Sequence, residues 1–441
     1  MTIKRAARSE DGQLVGKHAV LARAAKVMPT GGSAGGAEPR DLIVRTQGAY
    51  LWNAEGTRYI DHLLAGGAIV IGHCDPRVNR AAAHAAATCD LNWIGPQAGE
   101  VELAETICAV MPCADKVNFY SSGTEALLHA IGLARAVTGR GCLLRFRGSH
   151  MALFADLASA PRYTNDRGSA PQSAAGSAED DATQTPIEIV VEWNDVATMR
   201  SIFAEYGSEI AAVVCEAYVN AFGFVAPAPG FLEELRALCS IRGSLLLFDE
   251  IKTGFRAHLG GYQAICGVTP DLAVFGNAIA NGWTLGGLAG SADIMDHLGE
   301  VPANGGGALG VQCAQPYAIA AGLATFEILQ DGGIDRLNEL GHRMRAGITE
   351  AIRAAAVEAC VTGLGSEWNL YFRSKPPTNY EEAAGNHNYE HARRFVNAML
   401  DQGILESPTT FGDRHLCLAT SENDVDVTIE AVAHALQEQQ G

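Results

Sequence analysis

An acidic pair, Asp249 and Glu250, follows the apolar residues 245–248 and precedes a turn that contains Gly254. The apolar run predicts a buried strand, so the Asp249 carboxylate lies at a strand end and needs a cationic or hydrogen-bonding partner. A protonated pyridine nitrogen is one such partner, and a carboxylate beside it keeps the ring an effective electron sink. A structural salt bridge, for example to Arg256, explains the residue equally well.

A second segment, residues 120–126, places glycine and hydroxyl side chains between a predicted strand and a predicted helix. The start of a helix offers unpaired backbone N–H groups and a positive dipole end to an anion such as phosphate. The same residues fit an ordinary capping box, with Ser121 or Ser122 as the N-cap and Glu125 supporting it. On its own, the segment favours capping over anion binding.

These residues need a scaffold, and the pattern between residues 99 and 330 predicts one. Helical periodicity at 101–110 and 125–137 alternates with strand-like runs at 116–120, 188–191, 210–215, 245–248 and 272–275. Alternation of this kind predicts an α/β fold with a mostly parallel central sheet and covering helices.

The flanking regions follow other patterns. Alternating apolar residues around Glu55 and Gly56 predict two short paired strands. Residues 164–186 are small, polar and aperiodic, and they predict a mobile loop. Beyond residue 330, helical spacing at 334–355, 389–402 and 424–439 indicates a separate C-terminal lobe.

At 441 residues with 48% hydrophobic content, the chain can bury a large core. Its formal net charge of -18 disfavours nucleic acid and anionic membranes as partners. No apolar stretch approaches the roughly 20 residues that span a bilayer, and no apolar segment follows the charged N-terminus, so we expect a soluble cytoplasmic protein. The eleven cysteines lie in apolar contexts without a His/Cys cluster, which predicts reduced thiols and no metal site.

Taken together and in order, several segments resemble the class III, fold-type I aminotransferases, within the branch of glutamate-1-semialdehyde aminomutase and D-phenylglycine aminotransferase. They are residues 61–76, 121–126 with 133–140, 249–256, 276–282 and 315–322. The resemblance implies a fold-type I α/β transferase with pyridoxal 5′-phosphate (PLP) or pyridoxamine 5′-phosphate (PMP) as cofactor, and a homodimer. It also implies an N-terminal segment (1–65) that joins a small lobe, a large PLP-binding domain (66–330) and a C-terminal small domain (331–441).

The resemblance carries roles for particular residues. Ser122, Gly123 and Thr124 are expected to hold the cofactor phosphate. Asp249 is expected to face the pyridine nitrogen, and Ile251 to cover one face of the ring.

Two further positions are expected to contact the cofactor. Glu216 matches the family's strand-end glutamate near the phenolic side of the ring. His150 stands where these enzymes usually carry a stacking tyrosine, and an imidazole can stack in its place.

Three departures put the usual mechanism in question. Asn277 occupies the position of the Schiff-base lysine, and an amide can neither bond to the cofactor aldehyde nor move a proton at neutral pH. Val311 stands where the neighbouring subunit normally lends a phosphate-binding threonine. Gln315 replaces the usual asparagine before Pro316.

Lys252 offers a replacement for the missing lysine. The family often has glutamine at this position, beside the cofactor's phenolic oxygen, and a lysine there could reach the aldehyde carbon. We therefore assign catalytic roles to Lys252 and Asp249, with Asn277 at the vacated position. A purely structural ion pair of Lys252 with Glu216 or Glu250 is the alternative.

The expected function is PLP- or PMP-dependent amino-group transfer on a small amino or keto acid. The alternative is a catalytically inactive homologue retained as a binding or scaffold protein, since relaxed catalytic demand would remove lysine, threonine and asparagine together. A replacement introduced at position 277 to trap a bound substrate is a third possibility. Candidate partners for a substrate carboxylate are Arg40, Arg256 and Arg373, because guanidinium binds carboxylate bidentately.

Overall fold

The computed structural model describes residues 17–28, 41–91, 94–149, 188–299, 313–385, 389–407 and 411–438. The strands in this part of the chain are β1 (Ile43–Gln47), β2 (Tyr50–Asn53), β3 (Arg58–Asp61), β4 (Lys116–Tyr120), β5 (Cys142–Phe146), β6 (Glu188–Val191), β7 (Ile210–Cys215), β8 (Leu245–Glu250), β9 (Leu272–Phe275), β10 (Gly286–Gly290), β11 (Cys360–Thr362), β12 (Glu367–Tyr371), β13 (Ile404–Leu405) and β14 (Arg414–His415).

The helices are α1 (Lys17–Val27), α2 (Pro76–Thr88), α3 (Ala98–Val110), α4 (Gly123–Thr138), α5 (Val196–Tyr206), α6 (Phe231–Arg242), α7 (Gly261–Cys266), α8 (Ala292–Met295), α9 (Pro316–Ile328), α10 (Ile334–Ala355), α11 (Tyr380–Gly385), α12 (Tyr389–Asp401) and α13 (Glu422–Glu438). The part of the chain that the structure describes also has 3-10 turns at Asn277–Ala280 and Asp296–Gly299. Within the described residues, no helix is both long enough and apolar enough to cross a membrane.

The central sheet has seven strands in the order β4-β10-β9-β8-β7-β5-β6. Strands β5 to β9 pair in parallel, whereas β10 runs antiparallel to both β4 and β9. The prediction of a mostly parallel α/β sheet is confirmed. Because β10 reverses direction between its neighbours, β4 runs the same way as β9, and the carboxyl ends of β4, β7, β8 and β9 lie at one edge. We call this the carboxyl edge.

Alternating side chains of the strands build a core on each face of this sheet. Val213 and Phe248 pack with large aromatic residues on one face. Val214 and Leu247 pack with the apolar side of α4 on the other. Burial on both faces explains why β7 and β8 read in the sequence as continuous apolar runs.

Two smaller sheets connect distant parts of the chain. The predicted strand pair around Gly56 is present as the antiparallel strands β2 and β3, and β13 adds to β3 in parallel. A second sheet has the order β11-β12-β14. The predicted mobile loop at 164–186 lies outside the described residues, and the division into three parts stays a prediction.

A left-handed turn follows β3. Four consecutive residues, Leu64, Ala65, Gly66 and Gly67, have φ angles of 44°, 55°, 68° and 88°. Asp61 holds the start of the turn, because its Oδ1 accepts the N–H groups of Leu63 and Leu64. A left-handed conformation is costly for Leu64 and Ala65, so the surrounding contacts must stabilise it.

Gly67→Ala tests how tightly this turn is packed. A Cβ atom at Gly67 would lie 2.8 Å from His415 Cε1, and φ is +88°. We expect a loss of more than about 1–2 kcal/mol in the free energy of unfolding, since the collision adds to the left-handed strain. Chemical denaturation measures it.

Gly56→Ala is the matched control. Gly56 also has φ of +88°, but a Cβ atom there meets nothing within 4 Å. Gly56→Ala should therefore lose only the free energy of unfolding that comes from the left-handed backbone conformation. Equal losses in the two variants would contradict a packed turn.

Candidate active site

Asp249 is the penultimate residue of β8 and is buried, with 5% of its surface exposed. Its Oδ1 accepts the N–H of Ile251 at 3.0 Å. In the described part of the chain, no donor reaches Oδ2, and Arg256 is bound elsewhere. The carboxyl is therefore not half of a salt bridge with Arg256.

The electrostatics of Asp249 follow from this burial. Desolvation, with the charge of nearby Glu216 as the second cause, raises the pKa of the Asp249 carboxyl to about 8. The Ile251 hydrogen bond and the Lys252 charge lower it only in part. A cation placed at this carboxyl would favour its ionised form.

The N-terminus of α4 begins at the carboxyl end of β4. Ser122 is the N-cap, and its side chain accepts the N–H of Glu125 at 3.1 Å. The Glu125 carboxylate in turn accepts the N–H of Ser121 at 2.9 Å. Capping is thus present, yet the N–H groups of Gly123 and Thr124 in the first turn have no acceptor within the helix, which leaves them available to an anion.

Glycines bring the strand ends into contact around this helix start. A Cβ atom at Gly123 would lie 2.6 Å from Ile251 Cγ1, and one at Gly286 would lie 2.3 Å from the carbonyl carbon of Ser122. At Gly276, a Cβ would approach the Gly123 backbone to 3.2 Å. Ile251 is therefore fixed against the first residue of α4, so the N-terminus of α4 and the end of β8 form one surface.

Glu216 directly follows β7 and is buried. Its Oε2 accepts the N–H groups of Asn220 at 2.9 Å and Ala221 at 3.0 Å. These bonds fix the carboxylate at the carboxyl edge, where its charge acts on Asp249.

Lys252 lies at the same edge but is paired differently from either predicted partner. Its Nζ donates to Asp413 Oδ2 at 2.6 Å and to the carbonyl of Gly66 at 2.9 Å. The predicted alternative of an ion pair with Glu216 or Glu250 is wrong. Glu250 is instead occupied by Thr253, Tyr262 and Gln263.

Asn277 begins the 3-10 turn after β9 and has φ of 45°. Its Nδ2 donates to the carbonyl of Gly66 at 3.2 Å. The side chains of Asn277 and Lys252 therefore bind the same oxygen from two strand ends. Sequence reasoning singled out both residues separately, and the structure brings them together.

Other predicted residues lie outside this group. His150, Val311 and Arg40 are among the residues that the structure does not describe. Gln315 is the N-cap of α9, without a side-chain cap bond.

The two described arginines proposed as carboxylate partners already have partners. Arg256 is buried and donates to Ser366 and to the carbonyls of Leu416 and Gly67. Arg373 is bound to Glu382.

Sequence reasoning missed Asp413 and Gly66. Asp413 comes from the C-terminal part of the chain, 161 residues after Lys252. No local pattern predicts such a contact. The only signal for Gly66 is its place in a pair of glycines.

Behind the site lies a buried polar cluster that the sequence did not reveal. Glu367 Oε1 lies 3.1 Å from Asn220 Nδ2, 3.2 Å from His415 Nδ1 and 3.8 Å from Arg256 Nε. Burial raises the pKa of Glu367 to about 8 and lowers the pKa of His415 well below its ordinary value. The cluster connects Glu216, through Asn220, to the C-terminal strand β14.

The arrangement fits a phosphorylated pyridine cofactor. A buried carboxyl with an open oxygen suits a protonated ring nitrogen, and free amides beside Gly123 suit a phosphate. Ile251, fixed between them, offers an apolar surface to a ring. An amine, Lys252, stands at the same edge.

Comparison with known proteins gives the same picture. The sequence matches the family described as "Aminotransferase class-III" over residues 34–436. The glutamate-1-semialdehyde 2,1-aminomutase of Bordetella avium (strain 197N) is 36% identical over 397 residues, covering 90% of this chain and 91% of that protein.

Solved structures agree with the fold. An omega-transaminase from Sphaerobacter thermophilus matches with a TM-score of 0.84 at 28% identity, covering 100% of both chains. A β-phenylalanine aminotransferase from Variovorax paradoxus matches with a TM-score of 0.82 at 27% identity, covering 96% of this chain and 94% of that one. The predicted fold-type I architecture is confirmed.

Asp249→Asn tests the raised pKa. Between about pH 4 and about pH 8, folded Asp249 holds a proton that the unfolded chain has released, so this residue makes the cofactor-free protein less stable as pH rises. In Asp249→Asn, stability should therefore fall less steeply between these pH values than it does in the wild type. Thermal unfolding at several pH values measures it.

Asp293→Asn, at an exposed carboxyl, is the control and should keep the wild-type slope. If Asp249→Asn also keeps that slope, the buried carboxyl does not titrate as described.

Proposed function

Because the chain belongs to the class III aminotransferase family, we propose that it is a PLP- or PMP-dependent enzyme acting on a small amino or keto acid, with Lys252 in place of the lysine expected at position 277. The observation that carries the proposal is the shared acceptor. Lys252 Nζ and Asn277 Nδ2 both bind the carbonyl of Gly66. The amine thus lies within two hydrogen bonds of the side chain that replaces the usual lysine.

The described residues have distinct roles in holding the cofactor. The amides of Gly123 and Thr124 and the Ser122 hydroxyl would hold its phosphate, and Asp249 would hold its ring nitrogen. Ile251 supports one face of the ring. When bound, the cofactor supplies an electron-accepting ring that stabilises negative charge on the substrate carbon.

Lys252 acts through its Nζ atom. In its resting arrangement the ammonium is held by the Asp413 carboxylate, which is the nearest acceptor for a proton. As a neutral amine, Lys252 would be the group that condenses with the cofactor's aldehyde carbon, with release of water, and would carry a proton to and from the substrate carbon. Glu216 already accepts two backbone N–H groups, so its carboxylate is held in place. We assign it the role of a fixed negative charge beside the ring, not that of a proton carrier.

The proposal includes a homodimer in the cytoplasm. In the aminotransferases that the sequence resembles, the partner subunit contributes a phosphate-binding residue at the position of Val311. His150 is assigned to stack on the ring. Both residues lie outside the described part of the chain.

One observation favours the alternative of an inactive homologue. The ion pair of Lys252 with Asp413 also stabilises the contact between β8 and the segment before β14. A lysine retained for that purpose alone would leave the site without an attachment amine. The next experiment separates the two functions.

Reduction with borohydride in the presence of PLP, followed by peptide mapping, should label the peptide that contains Lys252. We expect the label, and before reduction a cofactor absorbance band at longer wavelength than the protein's own, in the wild type but not in Lys252→Gln. A label at another lysine, or no label, contradicts the relocation. Lys116→Gln, at an exposed ion pair with Asp296, should label as the wild type does.

Gly123→Ala tests the cofactor cradle. The new Cβ atom would lie 2.6 Å from Ile251 Cγ1, so the residue that supports the ring must move. We expect weaker PLP binding by titration calorimetry, by about 10-fold or more, which corresponds to about 1.4 kcal/mol.

Gly132→Ala, in the same helix with nothing within 4 Å of the new atom, is the control. It should bind PLP as the wild type does. Equal affinity of the two variants would exclude the N-terminus of α4 from the cofactor site.

A further inference from the structure

The Lys252 ammonium donates to the Asp413 carboxylate and the Gly66 carbonyl, and the Asn277 amide shares the Gly66 oxygen. We call these three groups the amine seat. Asp413 and Gly66 accept from Nζ at 2.6 and 2.9 Å. Asn277 donates to the same Gly66 oxygen at 3.2 Å. A carbonyl oxygen has two lone pairs, so these two donors occupy its hydrogen-bonding capacity.

In the described residues, one carboxylate forms an ion pair with the Lys252 ammonium. Arg256, on the next turn of the chain, donates to the neighbouring carbonyl of Gly67 and lies near Glu367. Asp413 is the carboxylate that contacts Lys252. Both sides of this ion pair are mostly buried, with 18% of each side chain exposed. A second ammonium here would compete with Lys252 for Asp413 and would repel it.

The seat has little freedom to rearrange. Its central carbonyl belongs to the left-handed turn, which is fixed at its start by Asp61. Asp61 is in turn bound to His73 at 2.8 Å. An added group at position 277 therefore meets a fixed acceptor that is already occupied.

We infer that positions 252, 277 and 413 form a single positioning unit that accepts one amine. Asp413 holds Lys252 at the carboxyl edge, and Asn277 fills the second hydrogen-bonding place on Gly66 without adding charge. Asn277 is thus a neutral partner of Lys252 rather than only a lost lysine. The use of the seat in catalysis rests on the proposed function, whereas the coupling of the three positions does not.

A double-mutant cycle on the cofactor-free protein tests the coupling. Asn277→Lys should lower Tm, because two ammonium groups compete for one carbonyl and one carboxylate. In Asn277→Lys/Lys252→Gln the seat again holds one amine, so Tm should rise above that of Asn277→Lys alone. Effects that simply add overturn the inference, since independent sites add.

Two controls separate charge from size. Asn277→Met adds length without charge, so the added Lys252→Gln should not raise its Tm. Asn79→Lys, at an exposed position of α2, adds the same charge elsewhere and should leave Tm unchanged. If Asn277→Lys does not fold, recovery of a folded protein in the double variant supports the coupling, and failure of both contradicts it.

The role of Asp413 has its own readout. Reductive methylation with formaldehyde, followed by peptide mapping at several reaction times, gives a time profile that reports how firmly the Lys252 amine is held. In Asp413→Asn the amine loses its carboxylate partner, so methylation at Lys252 should be faster than in the wild type. Asp296→Asn, which breaks the exposed pair with Lys116, is the matched control and should not move the Lys252 profile. An unchanged profile in Asp413→Asn overturns the positioning role.

These outcomes are distinguishable from those of the proposed function. A PLP label away from Lys252 with a coupled cycle contradicts the function and leaves the seat intact. A PLP label at Lys252 together with additive effects in the cycle supports the function and contradicts the coupling of the three positions.

Discussion

Hydrogen bonding between strands that run the same way brings their carboxyl ends to one edge of a sheet, and the candidate site depends on that constraint. The ends of β4, β7, β8 and β9 deliver the start of α4, Glu216, Asp249 and the Asn277 turn to the carboxyl edge. In open α/β sheets, ligands bind outside the carboxyl ends of the strands. The contact of Gly276 with the Gly123 backbone keeps the ends of β9 and β4 close together, and Ile251 packs against Gly123 from the end of β8.

The left-handed turn adds a second constraint, because it carries the N-terminal region to the same edge. Its carbonyls at Gly66 and Gly67 receive Lys252, Asn277 and Arg256. Two of these donors come from the segment after β8, and their other partners, Asp413 and Leu416, belong to the C-terminal part. Three distant regions of the chain therefore meet at two peptide carbonyls.

Much of this scaffold could be predicted from local sequence. Burial on both faces produces apolar runs, so β6, β7 and β9 coincide with the runs at 188–191, 210–215 and 272–275. The antiparallel strand β10 could not be predicted in this way, because Gly286–Gly290 is rich in glycine and lacks the β-branched residues that indicate a strand. Its glycines are explained by close contacts with Ser122, Phe275 and Leu272.

Local sequence likewise predicts one part of the candidate site and not the other. Asp249 and Glu216 follow apolar runs, so position alone indicates strand-end carboxylates. The partner of Lys252 could not be inferred, because Asp413 is far away in sequence and Gly412-Asp413-Arg414 has no periodic pattern. Likewise, nothing in the sequence indicates that Leu64 and Ala65 adopt positive φ, since such residues rarely do. Long-range packing decides both features.

The pairing of β13 with β3 has a consequence for how the chain folds during synthesis. Ile60 and Ile404 are opposite each other in this sheet, so this edge of β3 stays uncovered until residue 404 has left the ribosome. Contacts of such long sequence separation form slowly and leave strand edges open to intermolecular association in the interval. The central sheet, whose strands all precede residue 300, can assemble first and serve as the template on which both ends of the nascent chain later close.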